Sequence, residues 1–115
     1  MVATPLRGEI YWTQLDPVDG AEIGTTRPTV IIQNDVGNHY SSTTIVAAIS
    51  SRYADRDYPF LVAVPEGVLP RHSVVNCAQL RTVDKKRLAS ECLGVLGEDT
   101  MRSVDEALRV SLSLG

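Results

Sequence analysis

Six polar side chains near predicted strand ends are of types that could act together on a phosphodiester. They are Glu22, Arg27, Ser50, Ser51, Gln79 and Arg81. An arginine can contact two phosphate oxygens at once and stabilise charge that develops on them. A serine hydroxyl can orient the phosphate, and a loop carboxylate can accept or relay a proton. Exposed charges at strand ends are also common without any catalytic role, so Arg27 could equally form a surface salt bridge.

This combination of residue types fits cleavage of RNA by the neighbouring 2′-hydroxyl. That reaction needs no nucleophile from the protein. It needs a proton acceptor, stabilisation of charge on the phosphorane and a proton donor to the leaving 5′-oxygen. Arginine suits charge stabilisation better than proton donation, because it holds its proton so tightly. The need for a 2′-hydroxyl would confine such an enzyme to RNA.

The segment that must position Arg27 contains the strongest strand signal in the chain, at residues 29–33. It is rich in β-branched residues. Three consecutive apolar residues, 30–32, indicate a strand buried on both faces. Pro28 is expected at its first position, where a missing N–H does least harm. Arg27 would then stand at the strand entrance, where a rigid element can hold a functional group.

The other predicted elements are short strands followed by one helix. Strands are predicted at residues 8–15, 43–51, 60–64, 73–78 (bending around Ala78 into 79–82) and 90–96, with short turns within 36–42 and 85–87, and a helix over 99–114 that is N-capped by Asp99 or Thr100. Residues 16–26 form a loop long enough to act as a lid. In the first strand, Tyr11 and Trp12 are favoured as packing residues over a base-stacking platform.

These elements predict a mainly β fold with α (α+β): a small, strongly bent antiparallel sheet, or partial barrel, packed on its C-terminal helix. The 115 residues, 43% hydrophobic and 22% charged, predict one globular domain, 1–115. The net charge of -3 argues against a general nucleic-acid coat. Residues 50–90 nevertheless hold seven basic and four acidic residues, so a local basic groove is compatible with the composition.

Neither a metal site nor a cofactor site is predicted. His39 and His72 have no histidine or cysteine at ligand spacing, and no phosphate-binding glycine motif occurs. Cys77 and Cys92 are expected to be reduced thiols, since the N-terminus has no secretion signal. The longest apolar run, residues 45–49, is too short to span a bilayer. We therefore expect a cytoplasmic protein without a membrane partner.

The chain resembles the MazF/PemK family of toxin endoribonucleases. The resemblance rests on RGEIYWTQLDPVDGAEIGTTRPTVIIQNDVGN (7–38), TTIVAAISS (43–51), SVVNCAQLRTVDKKRL (73–88) and TMRSVDEALRVSLSLG (100–115). It implies an SH3-like barrel with a C-terminal helix, working as a homodimer. It also implies metal-independent cleavage of single-stranded RNA, leaving 2′,3′-cyclic phosphate and 5′-hydroxyl ends. A MazE-like antitoxin with an acidic, apolar tail is the implied partner.

The resemblance also assigns roles to residues. The family's catalytic arginine falls on Arg27, its catalytic hydroxyl, usually threonine, on Ser50, and its first-loop acid on Glu22. The strand glutamine matches Gln79. Some members carry a histidine immediately before the arginine, where this chain has Thr26. The expected RNA-binding residues are Thr26, Ser51, Gln79 and Arg81. Further basic residues, Arg52, Arg56 and 85–87, are a plausible surface for RNA or an acidic tail, or simply a solvated face.

Two alternatives remain open at this point. One is a non-catalytic toxin on the same barrel, such as a CcdB-like gyrase poison, which needs no arginine–hydroxyl pair. The other is an inactive member that only binds an antitoxin. The retained Arg27 and Ser50 favour the nuclease, and RNA cleavage would separate it from both alternatives.

Overall fold

The computed structural model of the chain describes residues 4–15 and 25–115. In chain order its elements are β1 (Glu9–Leu15), β2 (Thr25–Ile31), α1 (Asp35–Tyr40), β3 (Thr43–Ser50), β4 (Leu61–Ala63), β5 (Val74–Asp84), a 3₁₀ helix (Lys85–Arg87), β6 (Leu88–Val95) and α2 (Glu98–Leu112). Every predicted strand and the terminal helix is present, with ends shifted by a few residues. Most of the predicted lid loop, residues 16–24, lies outside the described residues.

The six strands form one antiparallel sheet in the order β4–β5–β3–β2–β1–β6. The strands β4 and β6 are its two edges and are not paired with each other. Among the described residues the sheet is therefore open, and the predicted barrel is a partial one. The predicted fold class, an antiparallel sheet with a C-terminal helix, is confirmed.

The long strand β5 bends where it passes the middle of β3. Ala47 pairs with Leu80, whereas the next residue, Ala48, pairs with Asn76. Residues 77–79 are therefore extra on the β5 side, and such bulges bend a strand and increase its twist. The predicted bend at this point is confirmed. Residues 74–76 of β5 pair with β4 on one side and with β3 on the other, whereas residues 80–84 pair with β3.

Opposite faces of the sheet carry two separate apolar clusters. Ile10 and Val30 belong to the larger cluster, which α2 covers with Met101, Val104 and Ala107. The smaller cluster contains Tyr11, Ile31, Val46, Val83 and Leu88. Those five residues come from five different strands, so the sheet must curve around them. Because neighbours alternate between the clusters, the predicted burial of both faces at residues 30 and 31 is confirmed.

The strand β2 begins earlier than predicted, which places Arg27 inside it rather than at its entrance. The predicted strand has Pro28 at its first position, but β2 pairs with β1 from Thr25 onward. Pro28 is tolerated in the interior because β3 pairs with β2 only over residues 29–31. On the β3 side, Pro28 therefore interrupts no ladder, as at an edge strand.

The short helix α1 is anchored by a buried asparagine. The Asn38 side-chain oxygen accepts hydrogen bonds from Thr44 Oγ1 (2.7 Å) and Gln33 Nε2 (3.1 Å). Its amide nitrogen donates to the Gln33 carbonyl at 3.0 Å. Lys85 Nζ donates to the Asn38 carbonyl at 2.6 Å, which ties the 3₁₀ helix to α1. This network satisfies the buried polar atoms of Asn38.

The helix α2 begins before the predicted caps. Gly97 is the N-cap residue and makes no side-chain capping hydrogen bond. The prediction of Asp99 or Thr100 as N-cap is wrong, because both lie within the first turn. Glu98 and Asp99 instead place negative charge near the helix N-terminus, where the helix dipole favours it. No helix within residues 4–15 and 25–115 is long and apolar enough to cross a membrane.

Candidate active site

An open groove of about 1570 Å³ lies at the ends of β2 and β3. The segment 64–73, which connects β4 to β5, forms one wall. The floor and the opposite side come from β1, β2, β3 and β6. We call this feature the strand-end groove, and its lining residues are Trp12, Arg27, Pro28, residues 49–52, residues 64–73 and Leu93.

Arg27 and Ser50 each lie two residues beyond Thr29 and Ala48, the last residues that β2 and β3 pair. If the register of that pair were continued by two residues, Arg27 would be level with Ser50, although β2 and β3 form no pair there. Residues that are 23 positions apart in sequence nevertheless line one groove. Arg27 is exposed, and Ser50 is half-buried as the last residue of β3.

The Ser50 hydroxyl is oriented by the turn that follows β3. Its Oγ accepts a hydrogen bond of 3.0 Å from the backbone N–H of Arg52. Because one lone pair is engaged in this way, the hydroxyl hydrogen is available to donate to a ligand. Ser51 is exposed beside it and also lines the groove. This turn holds the hydroxyl without using the hydroxyl's own proton.

The groove is positively charged although the chain as a whole carries a net charge of -3. The described lining residues include three arginines and only one carboxylate, and these are Arg27, Arg52, Arg71 and Glu66. None of these three arginines forms an ion pair with a carboxylate of residues 4–15 or 25–115. Arginines that form no ion pair with a described carboxylate, gathered on a concave surface, are suited to binding a polyanion.

The wall segment 64–73 is held at both ends and in the middle. Val64 N donates to the Ser73 carbonyl at 2.9 Å, which closes the segment. Ser73 Oγ donates to the Arg71 carbonyl at 2.9 Å. Val68 rests on Gly94 of β6, where a Cβ added to the glycine would approach Val68 Cγ1 to 3.0 Å. The position of the wall therefore depends on the absence of a side chain at residue 94.

The remaining predicted site residues lie outside the groove lining or outside the described chain. Thr26 is exposed on β2, next to Arg27, and pairs with Gln14. Gln79 is exposed within the β5 irregularity, and Arg81 is exposed on β5, opposite Val46. Neither lines the groove. Glu22 falls outside the described residues.

The basic residues of the middle third serve different ends. Arg52 lines the groove, whereas Arg56 is exposed outside it. Lys85 is half-buried and holds α1, and the Arg87 guanidinium donates to the Gln14 carbonyl at 3.4 Å. These contacts give Lys85 a structural role that the sequence pattern alone does not reveal.

Sequence reasoning missed four residues of the groove. Glu66, Arg71 and His72 enter it through the folded-back wall segment, and no local pattern announces that contact. Trp12 was expected to pack in a core, but its side chain is 45% exposed, while Tyr11 is only 7% exposed. The exposure of Trp12 could have been suspected from the alternation of side chains along β1. Two adjacent residues point to opposite faces, so Trp12 cannot join Tyr11 in the smaller cluster.

Among residues 4–15 and 25–115, the two groups whose pKa is clearly shifted lie in the apolar clusters and not in the groove. Burial, assisted by the hydrogen bond from the Tyr11 hydroxyl to Glu9 Oε1, raises the pKa of Tyr11 to about 12. Burial raises the pKa of the Cys77 thiol to about 11. Both cysteines are free thiols. No group of three or more potential metal ligands occurs among residues 4–15 and 25–115.

The fold and groove define a small antiparallel-sheet protein with an arginine-lined site at its strand ends. A family model described as PemK-like, MazF-like toxin of type II toxin-antitoxin system matches residues 6–112. The chain therefore belongs to the PemK-like and MazF-like toxin family, which confirms the resemblance found in the sequence.

Solved structures agree with this assignment. An endoribonuclease in complex with its cognate antitoxin from Mycobacterial species is 27% identical, with a TM-score of 0.80 over 96% of this chain and 97% of that chain. An endoribonuclease from Mycobacterial species is 25% identical, with a TM-score of 0.80 over 98% and 95%. The Mycobacterium tuberculosis toxin MazF-mt6 is 25% identical, with a TM-score of 0.78 over 93% and 98%.

Proposed function

We propose that this toxin is an endoribonuclease that cleaves single-stranded RNA, including mRNA, at short sequences without a metal cofactor. The observation that supports the proposal is the strand-end groove, which both Arg27 and Ser50 line. The names of the solved relatives support it, because two of them are endoribonucleases. The positive groove on an acidic chain supports a polyanionic substrate.

In the proposed reaction the substrate supplies its own nucleophile. The 2′-oxygen gives up its proton and attacks the neighbouring phosphorus. The bond between phosphorus and the 5′-oxygen breaks, and that oxygen takes up a proton. The products are a 2′,3′-cyclic phosphate and a 5′-hydroxyl. The protein must therefore stabilise the phosphorane and move two protons.

Arg27 is proposed to bind the non-bridging oxygens of the scissile phosphate. Its guanidinium offers several donors in a fixed plane, and it forms no ion pair with a described carboxylate that it would have to leave. Donors that are oriented before the reaction stabilise developing charge at little reorganisation cost. Arg52 and Arg71 are proposed to hold the flanking phosphates.

Ser50 is proposed to donate a hydrogen bond to the same phosphate. The Arg52 N–H already occupies one lone pair of Ser50 Oγ, so the hydroxyl proton points elsewhere. A threonine at this position would keep the donor and add only a methyl group with restricted rotation. Glu22 is proposed as the proton acceptor or relay, with Thr26, Ser51, Gln79 and Arg81 contacting the RNA around the cleaved bond.

The first test is cleavage of mixed-sequence single-stranded RNA in EDTA, followed by end-group analysis. Wild type should cleave at a short defined sequence and leave cyclic phosphate ends. Arg27→Ala should lower kcat/KM by about 10²- to 10³-fold or more, as expected when a charge-stabilising donor is lost. Ser50→Ala should be impaired, whereas Ser50→Thr should retain activity.

Arg56→Ala is the matched control, because Arg56 is an exposed arginine of the same charge outside the groove. Its kcat/KM should remain within about twofold of wild type. If folded protein free of antitoxin leaves all short sequence contexts uncut, the nuclease proposal fails. Gyrase inhibition would then separate a CcdB-like poison from a member that only binds an antitoxin.

We further propose a homodimer that is neutralised by a MazE-like antitoxin and acts in the cytoplasm, where mRNA is available. One solved relative is a complex with its cognate antitoxin, which supports the antitoxin. An acidic antitoxin tail would compete with RNA for Arg27, Arg52 and Arg71. Sedimentation of purified protein measures the dimer, and a monomer at micromolar concentration would contradict that part of the proposal.

A further inference from the structure

Trp12 is a large aromatic residue that lines the strand-end groove and belongs to neither apolar cluster. It lies in the middle of β1 between the buried residues Tyr11 and Thr13, yet 45% of its surface is accessible. A tryptophan buries more apolar area than most side chains when it can pack. Leaving it open on a strand flanked by two others is therefore unfavourable unless something else covers it.

The sheet is irregular at this residue. Tyr11 pairs with Cys92 of β6, but Thr13 pairs with Leu88, so residues 89–91 of β6 are displaced opposite Trp12. Irregularities of this kind re-aim side chains and are frequent beside active sites. On its other side Trp12 pairs with Pro28, and both residues line the strand-end groove together with Arg27.

Trp12 and Arg27 are close although their side chains alternate to opposite faces. Thr13 pairs with Arg27, so Trp12 and Arg27 are diagonal neighbours with Cα atoms about 6 Å apart, from a rise of about 3.4 Å and a strand spacing of about 4.8 Å. At this level β2 is flanked by β1 alone, because β3 joins only at Thr29. The groove can therefore reach both faces.

The chemistry of the groove identifies the ligand that would cover Trp12. It combines a flat aromatic surface with three arginines and one opposing carboxylate, Glu66. A single-stranded nucleic acid is complementary to this groove, because its phosphates can bind the arginines and its unpaired bases can stack on the aromatic ring. An acidic peptide would match the charges, but its acidic side chains would not stack on the Trp12 ring beside Arg27.

We propose that Trp12 is a stacking platform for an unpaired RNA base next to the phosphate held by Arg27. The inference rests on the proposed function, because it assigns a base to the same groove. Stacking tolerates every base, so Trp12 fixes the path of the strand past the reacting phosphate. Selection among bases is left to other contacts.

Trp12 is the only tryptophan in the chain, so its fluorescence reports this position alone. The probe is a short RNA that wild type cleaves, made resistant by a 2′-O-methyl group at the cleaved position. Binding should quench the fluorescence, and heparin, a polyanion without bases, should not. Trp12→Ala should raise the Kd for the probe by about 5- to 150-fold, the range expected for one stacked base.

Three variants separate stacking from folding and from apolar contact. Trp12→Tyr keeps an aromatic ring and should retain most of the affinity, whereas Trp12→Leu keeps apolar bulk and should lose it. Tyr40→Ala removes an aromatic residue that is 82% exposed outside the groove, and it should not change the Kd. Replacing probe bases one at a time by abasic sites should abolish the effect of Trp12→Leu at one position only.

Each outcome decides the inference. Cleavage by wild type, together with equal Kd values for wild type and Trp12→Leu, overturns the stacking platform while the proposed function stands. Equal quenching by heparin and RNA also overturns it. Quenching by an acidic antitoxin peptide but not by RNA assigns Trp12 to the antitoxin instead. Absence of both cleavage and RNA binding removes the proposed function and the inference with it.

Discussion

Gly94 is the point at which the wall of the strand-end groove rests on the sheet. A Cβ there would lie 3.0 Å from Val68 Cγ1 and 3.4 Å from the Val68 carbonyl oxygen. Favourable carbon–carbon contacts begin near 3.5 Å, so Gly94→Ala must push the wall outward by about 0.5 Å. Overpacking of this kind costs about 1–3 kcal/mol. We expect Gly94→Ala to lower the free energy of unfolding by about 1–2 kcal/mol.

The same displacement should impair cleavage, because the wall carries Arg71. A misplacement of about 1 Å can cost about 10²-fold in rate, so half of that should lower kcat/KM about tenfold. The assays are urea denaturation and RNA cleavage of the same preparations. Adding Val68→Ala removes the methyl groups that the new Cβ meets, and the double variant should recover more than half of both losses. Gly97→Ser is the control, since nothing lies within 4 Å of a Cβ at Gly97.

The double-variant cycle makes the reasoning refutable. If Gly94→Ala matches wild type in both assays, the wall does not depend on this contact. If Gly94→Ala is impaired but Val68→Ala rescues neither loss, the damage comes from the β6 backbone and not from the wall. Equal damage from Gly97→Ser would mean that any added side chain near this edge is harmful.

Three further predictions concern stability and charge. The pKa of Tyr11 is raised from 10.0 to about 12, so the free energy of unfolding should fall by up to about 2.7 kcal/mol as pH rises from 10 to 12. In urea denaturation at these pH values, Tyr11→Phe should remove this part of the fall. Lys85→Met should cost about 1–2 kcal/mol in urea denaturation yet leave the salt dependence of RNA binding unchanged, because Lys85 Nζ binds the Asn38 carbonyl. Asp105→Asn should cost less than about 1 kcal/mol in the same assay, since its ion pair with Arg7 is partly exposed.

Local patterns were sufficient to predict the elements of the fold. Buried positions are occupied by apolar residues, so their spacing in the sequence reveals the strands and, from Met101 onward, the terminal helix. The helix start was misplaced because acidic residues are favoured both as N-caps and in the first turn, and only the backbone distinguishes the two. The start of β2 was misplaced because a proline usually marks the end of a strand. Pro28 lies inside β2 because no strand pairs with it on the β3 side, and this pairing depends on the whole sheet.

The candidate site was only partly predictable, for the same reason. Arg27 and Ser50 carry a signal because each adjoins a strongly predicted strand. Arg71 and Glu66 lie in an irregular segment whose return to the sheet depends on a contact between Val68 and Gly94, 26 positions apart. Neither the length nor the composition of that segment encodes the return. Trp12 was misread because its exposure follows from the irregular pairing of β6.

The division of the groove between strands and a loop suggests how its two tasks are separated. Arg27 and Ser50 lie on the neighbouring strands β2 and β3. Arg27 is two residues from Thr29, whose buried hydroxyl forms a 2.8 Å hydrogen bond with the buried hydroxyl of Thr13. Their relative position is therefore constrained by the pairing of β2 with β3, which ends two residues away at Thr29 and Ala48. The wall, by contrast, is an irregular segment between β4 and β5 that contacts the sheet through Val68 and Gly94. Substitutions in the wall should then change which RNA is accepted as well as lowering kcat/KM, whereas substitutions of Arg27 or Ser50 should slow the cleavage of every RNA.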